Sequence, residues 1–349
     1  MAKEQKLFRD MELAFRTQYA EVKERTLAAG KLLTGTPGSL ALRSGSGYSY
    51  WYRDHYAAPG KRVDEAVCKD GDEEKLQAMR DRMAFATWVS EQVPALRKLG
   101  FQVADKSIAR VLVELHNQGA FDAGLVLVGT LAYMAWLNEL GAMAVSARTL
   151  DIDLARRQKL KLAAPLPFLA TMKATGLPFT AVPGMPSSKP ATSVKLPGVQ
   201  GLRVDVLAPG KTLGALVRVQ ELDWMAQSVP YYDYLLEAPE PAAMLAGWQC
   251  VPVRLPQAAR MVWHKLYSSQ KRQRFPEKAA KDLQQALVLA AVLIETEPVA
   301  IERAFKHAPT TMIKDIQPVL PIIAPKLGAH NALLDVFNTC LSRPAKQSI

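Results

Sequence analysis

The stretch from 125 to 159 constrains the fold of this chain more than any other, because strand, turn, helix and acidic-strand patterns follow one another within it. Leu125 to Val128 is a short apolar run of the kind found in buried strands. Gly129-Thr130 then offers the residue types of a tight strand-to-helix turn. Residues 131–140 carry apolar side chains at helical spacing. The sequence therefore predicts a strand, a turn, a helix and a second strand that form one unit.

The second strand of this unit carries two carboxylates on one face. Residues 148–154 read Arg-Thr-Leu-Asp-Ile-Asp-Leu, and alternation separates Asp151 and Asp153 from the apolar residues between them. Two neighbouring acids favour a cation, and carboxylate oxygens are ligands that suit Mg²⁺. The glycine turn at a helix start adds backbone N–H groups that suit phosphate. A solvated strand face is the alternative for an isolated Asp-x-Asp pair, but the preceding turn and helix favour a site for metal and phosphate.

The order Gly-Thr, helix, Arg-Thr-Leu-Asp-Ile-Asp resembles the core of the DNA polymerase β-type nucleotidyltransferase superfamily. The Arg148-Thr149 prefix is most similar to its AbiEii/MenT-like branch and to bacterial proteins with this fold and unassigned function. The resemblance implies a third carboxylate on a later, neighbouring strand. Residues 201–208, GLRVDVLA, supply Asp205, which shares one strand face with Arg203 and Leu207.

A second block, residues 263–286, is similar to the helical Lys-Leu-x-Ala, basic, Lys/Arg-Asp signature of the same branch. The matching positions are Lys265 and Asp282, with Lys281 beside the latter. The chain departs from the signature at Ser268, where alanine is preferred, and at Gln285, where some members carry a further acid. Gln285 does not supply that last carboxylate.

The resemblance implies an assignment of site residues, cofactor and reaction. The catalytic residues would be Asp151, Asp153, Asp205 and Lys265, and the three aspartates would bind Mg²⁺ or Mn²⁺. The nucleotide-binding residues would be Gly129, Thr130, Arg148, Lys265, Lys281 and Asp282. The chain would then be a nucleotidyltransferase of the EC 2.7.7 type, moving NMP from an NTP to an RNA end, such as that of tRNA, or to a protein hydroxyl. A toxin-like role is a narrower form of this hypothesis.

Composition supports an anionic partner and excludes several other classes. The formal net charge of +11 indicates attraction to polyanions such as RNA. The three cysteines are far apart, which indicates neither a disulfide framework nor a zinc site. The charged N-terminus and the short apolar runs predict a cytoplasmic protein without a membrane partner. The chain lacks the Walker A, Rossmann, Ser-His-Asp and HExxH patterns of other enzyme classes.

The predicted fold class is α+β, with a small mixed β-sheet nucleotidyltransferase core. The predicted domains are a helical region at 1–120, the catalytic core at 121–256 and a C-terminal helical bundle at 257–349. Residues 1–30 are predicted to form a helix that packs on the core or on a second copy, so a homodimer is left open. Residues 35–47 are predicted to be a loop, and residues 229–237 to be strand-like.

An aromatic β-hairpin is predicted at about 48–67, within the N-terminal region. Its rings, interleaved with cations, would stack nucleic-acid bases or cover neighbouring helices. The hairpin and the positive charge also favour an alternative function, a non-catalytic nucleic-acid-binding protein that retains the nucleotidyltransferase fold.

Overall fold

The computed structural model describes residues 6–45, 47–58, 60–145, 148–272 and 274–342. It confirms a mixed α+β fold in which a small sheet lies between N-terminal elements and C-terminal helices. The division into domains at 120 and 256 stays a prediction. The chain begins with β1 Arg9–Asp10, α1 Leu13–Ala28, β2 Ser39–Gly45, β3 Tyr48–Ala58, β4 Lys61–Lys69, α2 Glu73–Lys98 and α3 Lys106–Asn117.

The predicted hairpin is confirmed as β3 and β4, which pair antiparallel. The region expected to be a loop contributes a third strand, β2, which pairs with β3 and makes the hairpin a three-stranded sheet. Arg43 on β2 donates to Asp54 on β3 at 2.7 Å and to Asp64 on β4 at 2.6 Å. These cross-strand ion pairs stabilise the strand despite its glycine and serine content.

The central sheet runs in the order β11-β12-β10-β7-β5, and β9 pairs with the first half of β10 while β8 pairs with β9. Every second residue along β7 and β10 points to the buried face of this sheet. These residues, which are fully buried, are Ile152, Leu154, Val204 and Val206. The elements of this part are β5 Leu125–Val128, α4 Gly129–Glu139, β6 Ala142–Met143, β7 Asp151–Arg156, α5 Phe168–Ala174, β8 Thr180–Ala181, β9 Ser193–Lys195, β10 Arg203–Pro209, β11 Leu216–Val219, β12 Trp224–Val229, α6 Tyr232–Leu235, β13 Glu240–Ala246 and β14 Gln249–Leu255.

The strand expected at 229–237 is wrong, because the chain turns into the short helix α6 there. Pro230 has no N–H to continue the ladder of β12, and Tyr231 adopts a left-handed φ of 61°. Tyr232 and Leu235 then bury their side chains one helical turn apart. The next strands, β13 and β14, pair with each other in a separate two-stranded sheet.

The C-terminal helices pack around Trp263, whose ring lies 5.2 Å from that of Phe305 and 5.6 Å from that of Phe337. The prolines at 318, 321 and 325 lie within short helical turns between 317 and 326. This occurs because proline is tolerated in the first turn of a helix. The helices are α7 Ala258–Lys271, α8 Pro276–Thr296, α9 Ala300–Lys306, α10 Thr310–Ile316, α11 Leu320–Ile323 and α12 Asn331–Leu341.

Within the described residues, no single helix is both long and apolar enough to span a bilayer. The pair formed by α8 and α9, bent by 118°, satisfies the criterion by length and composition only.

Candidate active site

A pocket of about 400 Å³ lies between the central sheet and helices α7 and α8. Three adjacent strands bring its acidic wall together. Asp153 on β7 lies opposite Val128 on antiparallel β5 and opposite Asp205 on parallel β10. Because residues opposite one another in a sheet point to the same face, Asp153 and Asp205 share the pocket side, as does Asp151 two residues earlier. All three aspartates line this pocket.

The acidity of Asp153 is strongly perturbed by its surroundings. Burial, together with the neighbouring charges of Asp205 and Asp151, raises the pKa of Asp153 to about 7, although Arg272 and Lys265 oppose this rise. The ionised carboxylate is therefore unfavourable without a cation close by.

Gly129 begins α4 directly beneath the Asp153 carboxylate. A Cβ at this position would lie 2.1 Å from Oδ2 of Asp153, and the φ of +70° is one that other residues rarely adopt. The N-cap residue of α4, Val128, makes no side-chain capping hydrogen bond, and Val128, Gly129 and Thr130 all line the pocket. The start of the helix, where N–H groups lack partners within the helix, therefore lies at the pocket wall. This end of the helix suits a phosphate group.

Asp205 is held by two neighbours that the sequence pattern did not reveal as partners. Ser193 on β9 donates a short hydrogen bond to Oδ1 of Asp205, and Nε of Arg203 donates to the same oxygen at 2.9 Å. Nη2 of Arg203 also donates to Oγ of Ser193 at 2.6 Å. Alternation along the strand, which places Arg203 and Asp205 on one face, could have indicated the contact between them. Ser193 lies in a proline-rich segment without periodicity, so no pattern indicated its contact with Asp205.

The donor chemistry of the acidic wall fits a hard divalent cation, since it consists of carboxylates beside a glycine turn. The ligands are not gathered, however. Among the described residues, no group of three or more His, Cys, Asp or Glu side chains is arranged to hold a metal ion. At Asp205, the guanidinium of Arg203 already provides a positive charge. Asp151 and Asp153 are left without such a partner on their own strand.

The opposite wall of the pocket is basic and comes from α7 and α8. Nζ of Lys265 donates to Oδ1 of Asp282 at 3.1 Å and to Oε1 of Gln285 at 2.6 Å, and all three residues are buried. Arg272 donates to the other oxygen of Asp282 at 2.5 Å. Asp282 therefore positions both cations at the pocket. Gln285 occupies the place of the further acid of the signature and accepts from the same lysine. Arg272 was not predicted as a site residue, although it lies within the block 263–286 that is similar to the signature.

Lys281 and Arg148 meet at the edge of the pocket. Nζ of Lys281 donates to the backbone oxygen of Arg148 at 3.4 Å. Burial lowers the pKa of Lys281, and the charge of Lys265 lowers it further. Lys281 lines the pocket, whereas Arg148, predicted to bind the nucleotide, is not among its described lining residues and contacts Lys281 through its backbone oxygen.

Further side chains complete the pocket beyond those expected from the sequence. Oγ1 of Thr149 accepts from the backbone N–H of Asp151 at 3.1 Å and fixes the start of β7. Burial raises the pKa of Tyr232 above its ordinary value, and burial lowers the pKa of His264 to about 4. Both side chains are therefore neutral near pH 7, so the cations of this wall are the lysines and Arg272.

Comparison with known proteins agrees with this geometry. A family model described as Nucleotidyltransferase matches residues 106–309, more than half of the chain. The matched segment contains every site residue named above. The search of curated proteins and the search of solved structures gave no match.

Proposed function

Because the chain belongs to the nucleotidyltransferase family whose model matches residues 106–309, we propose that it transfers NMP from an NTP to an acceptor hydroxyl and releases pyrophosphate. The observation that carries the proposal is the direct opposition of Asp153 and Asp205 on adjacent parallel strands, facing the cations of α7 and α8. The net charge of +11 favours an RNA end as the acceptor, tRNA included. A protein hydroxyl is the other acceptor to test.

Asp151 and Asp153 would hold the divalent cation, Mg²⁺ or Mn²⁺, and Asp205 would join them once it separates from Arg203. The cation would supply charge neutralisation at the phosphates and would favour the loss of pyrophosphate.

The remaining chemistry belongs to side chains of this chain. Thr130 and the first N–H groups of α4 bind phosphate oxygens. Lys265 and Lys281, together with Arg272, offset the triphosphate charge. Asp205 accepts the proton of the attacking hydroxyl. One O–P bond forms at the α-phosphate, the bond to the β-phosphate oxygen breaks, and pyrophosphate leaves.

The ion pair of Arg203 with Asp205 favours a second candidate function, non-catalytic nucleic-acid binding. In such a protein Arg203 would hold Asp205 permanently. RNA binding would then depend on salt and would not change in the Asp153→Asn variant.

One experiment distinguishes the two functions. The full chain is incubated with each of four α-³²P-labelled NTPs, Mg²⁺ or Mn²⁺, and either total RNA or lysate protein. If the chain is a transferase, the label should be transferred only with Mg²⁺ or Mn²⁺ present and should not be transferred by D153N. Loss of the labelled product on nuclease treatment would identify RNA as the acceptor, and loss on protease treatment would identify a protein. Absence of label with all four nucleotides, together with absence of NTP binding in calorimetry, would reject it.

The similarity to the AbiEii/MenT-like branch leads us to propose a toxin-like role as a narrower form of the same activity. Expression of the wild-type chain should then arrest growth, and Asp151→Ala should relieve the arrest. Arrest that persists in D151A would exclude a toxin role that depends on transfer.

A further inference from the structure

A second cavity, of about 490 Å³, lies between the N-terminal sheet and α3 and is larger than the pocket of the candidate active site, at about 400 Å³. Its walls come from the end of β3, the segment before β2, the first turns of α3, the end of α5 and the turn between β13 and β14. It shares no lining residue with the catalytic pocket. A molecule bound here is therefore not the nucleotide of the proposed reaction.

The cavity wall is mainly apolar, but it contains an arginine without a counter-charge. Nη1 of Arg110 is buried without a hydrogen-bond partner, and no ion pair of Arg110 occurs within the described residues. Burial lowers the pKa of Arg110, and burial alone accounts for the shift. The acid one turn later, Glu114, instead accepts from Gln118 at 3.0 Å. The Arg110 residue is half-buried and lines the cavity, so its charge is partly removed from water and an anion bound at this wall would stabilise it.

Two further features of the wall suit an anion with an apolar body. Nζ of Lys106 lies 3.7 Å from the ring centroid of Trp248, and both residues line the cavity, so a second cation is held at its wall. The indole ring of Trp248 is 46% exposed, as is much of Tyr56, which leaves aromatic surface free for contact. Small-molecule sites typically have volumes of about 300 to 1,000 Å³, apolar walls and few polar groups. The volume of this cavity lies within that range.

We propose that this cavity binds a small organic anion with an apolar body, whose acidic group pairs with Arg110 and whose body lies against the apolar wall. The proposal goes beyond the transfer reaction and does not depend on it.

The test uses a matched pair of fluorescent probes with the full chain. 1-Anilinonaphthalene-8-sulfonate carries the anionic group, and N-phenyl-1-naphthylamine has the same rings without it. The wild-type chain should bind the sulfonate, and Arg110→Met should weaken that binding about tenfold while it leaves the neutral probe unaffected, as expected for the loss of one charge-assisted contact. Lys106→Met, at an exposed position, should weaken sulfonate binding by about threefold.

Arg82→Met provides the matched control, because Arg82 is a partly buried arginine in a neighbouring cavity of about 340 Å³. It should leave both probes unaffected. Ala174→Trp fills the proposed cavity from an exposed position and should abolish binding of both, which keeps the test decisive if R110M does not fold. Equal sulfonate binding by R110M and wild type, or binding that persists in A174W, would overturn the assignment. An equal loss in R82M would do the same.

Discussion

Replacement of Asp153 by Asn should stabilise the protein in the absence of metal while it removes metal and nucleotide binding. The pKa of Asp153 is about 7 in the folded chain, whereas an aspartate in an unfolded chain titrates near about 3.9. The folded state therefore retains a proton that the unfolded state has released. Stability falls as the pH rises from about 4 to about 7, and the full penalty is present above that range.

The size of the effect follows from the same two pKa values. The difference corresponds to about 4 kcal/mol, since each tenfold change in proton affinity is worth about 1.4 kcal/mol. Asp153 is only partly buried and lines an open pocket, so solvent and counterions should reduce the penalty to roughly half. We therefore expect D153N to be more stable than wild type by about 2 kcal/mol near pH 8 and by less than about 1 kcal/mol near pH 5.

The assay is urea unfolding of both proteins in EDTA at the two pH values, analysed by linear extrapolation. Asp205→Asn serves as the control, because Asp205 is paired with Arg203 and its loss leaves a cation unpaired. D205N should not be more stable than wild type. Added Mg²⁺ should then stabilise wild type and not D153N. A D153N protein that is equally or less stable near pH 8 would refute the reasoning.

Three further predictions concern the two walls of the pocket. Gly129→Ala should lose transfer activity and about 2 kcal/mol of unfolding free energy in urea titration, because its Cβ meets the carboxylate above it. Gly198→Ala, with φ +97° and open space, should lose only about 1 kcal/mol; equal losses would show that the carboxylate is irrelevant. Lys265→Met should weaken NTP binding in calorimetry. It should also destabilise the chain by about 1–3 kcal/mol, because it leaves the buried carboxylate of Asp282 and the amide of Gln285 with fewer donors. Unchanged NTP affinity would show that Lys265 does not contact the nucleotide. Arg203→Met should increase Mn²⁺ affinity at least several-fold in calorimetry, because Asp205 loses its competing cation; weaker binding would mean that Arg203 assists the metal.

The sequence was most informative where one local pattern decides the structure. The apolar run at Leu125–Val128 became β5 with the expected bounds, because a short β-branched stretch before glycine has few other solutions. Alternation placed Asp151 and Asp153 on one face, and the same period correctly placed Asp205 on its strand face. The signature implied that Lys265 and Asp282 both lie near the nucleotide, and in the structure both line one pocket and are joined at 3.1 Å. Their catalytic and nucleotide-binding roles stay predictions.

Contacts between segments without periodicity could not be predicted. Ser193 belongs to a three-residue strand inside a proline-rich segment, so nothing local indicated that it would hold Asp205. The cavity at Arg110 is formed by segments from five parts of the chain, and an unpaired arginine is visible only after they assemble. The wrong strand at 229–237 has the opposite cause: aromatic residues fit a strand and a helical turn equally well, and Pro230 decided between them.

The two walls of the candidate active site carry opposite charges. The sheet contributes three carboxylates, and the helices contribute Lys265 and Arg272, which Asp282 holds in place, together with Lys281. Without a ligand, Arg272 and Lys265 lower the pKa of Asp153 only in part, which leaves it near about 7. A ligand that carries positive charge toward the sheet and negative charge toward the helices would satisfy both walls at once. A nucleoside triphosphate with a divalent cation has this order of charges, whereas a polyanion alone would meet repulsion from the sheet.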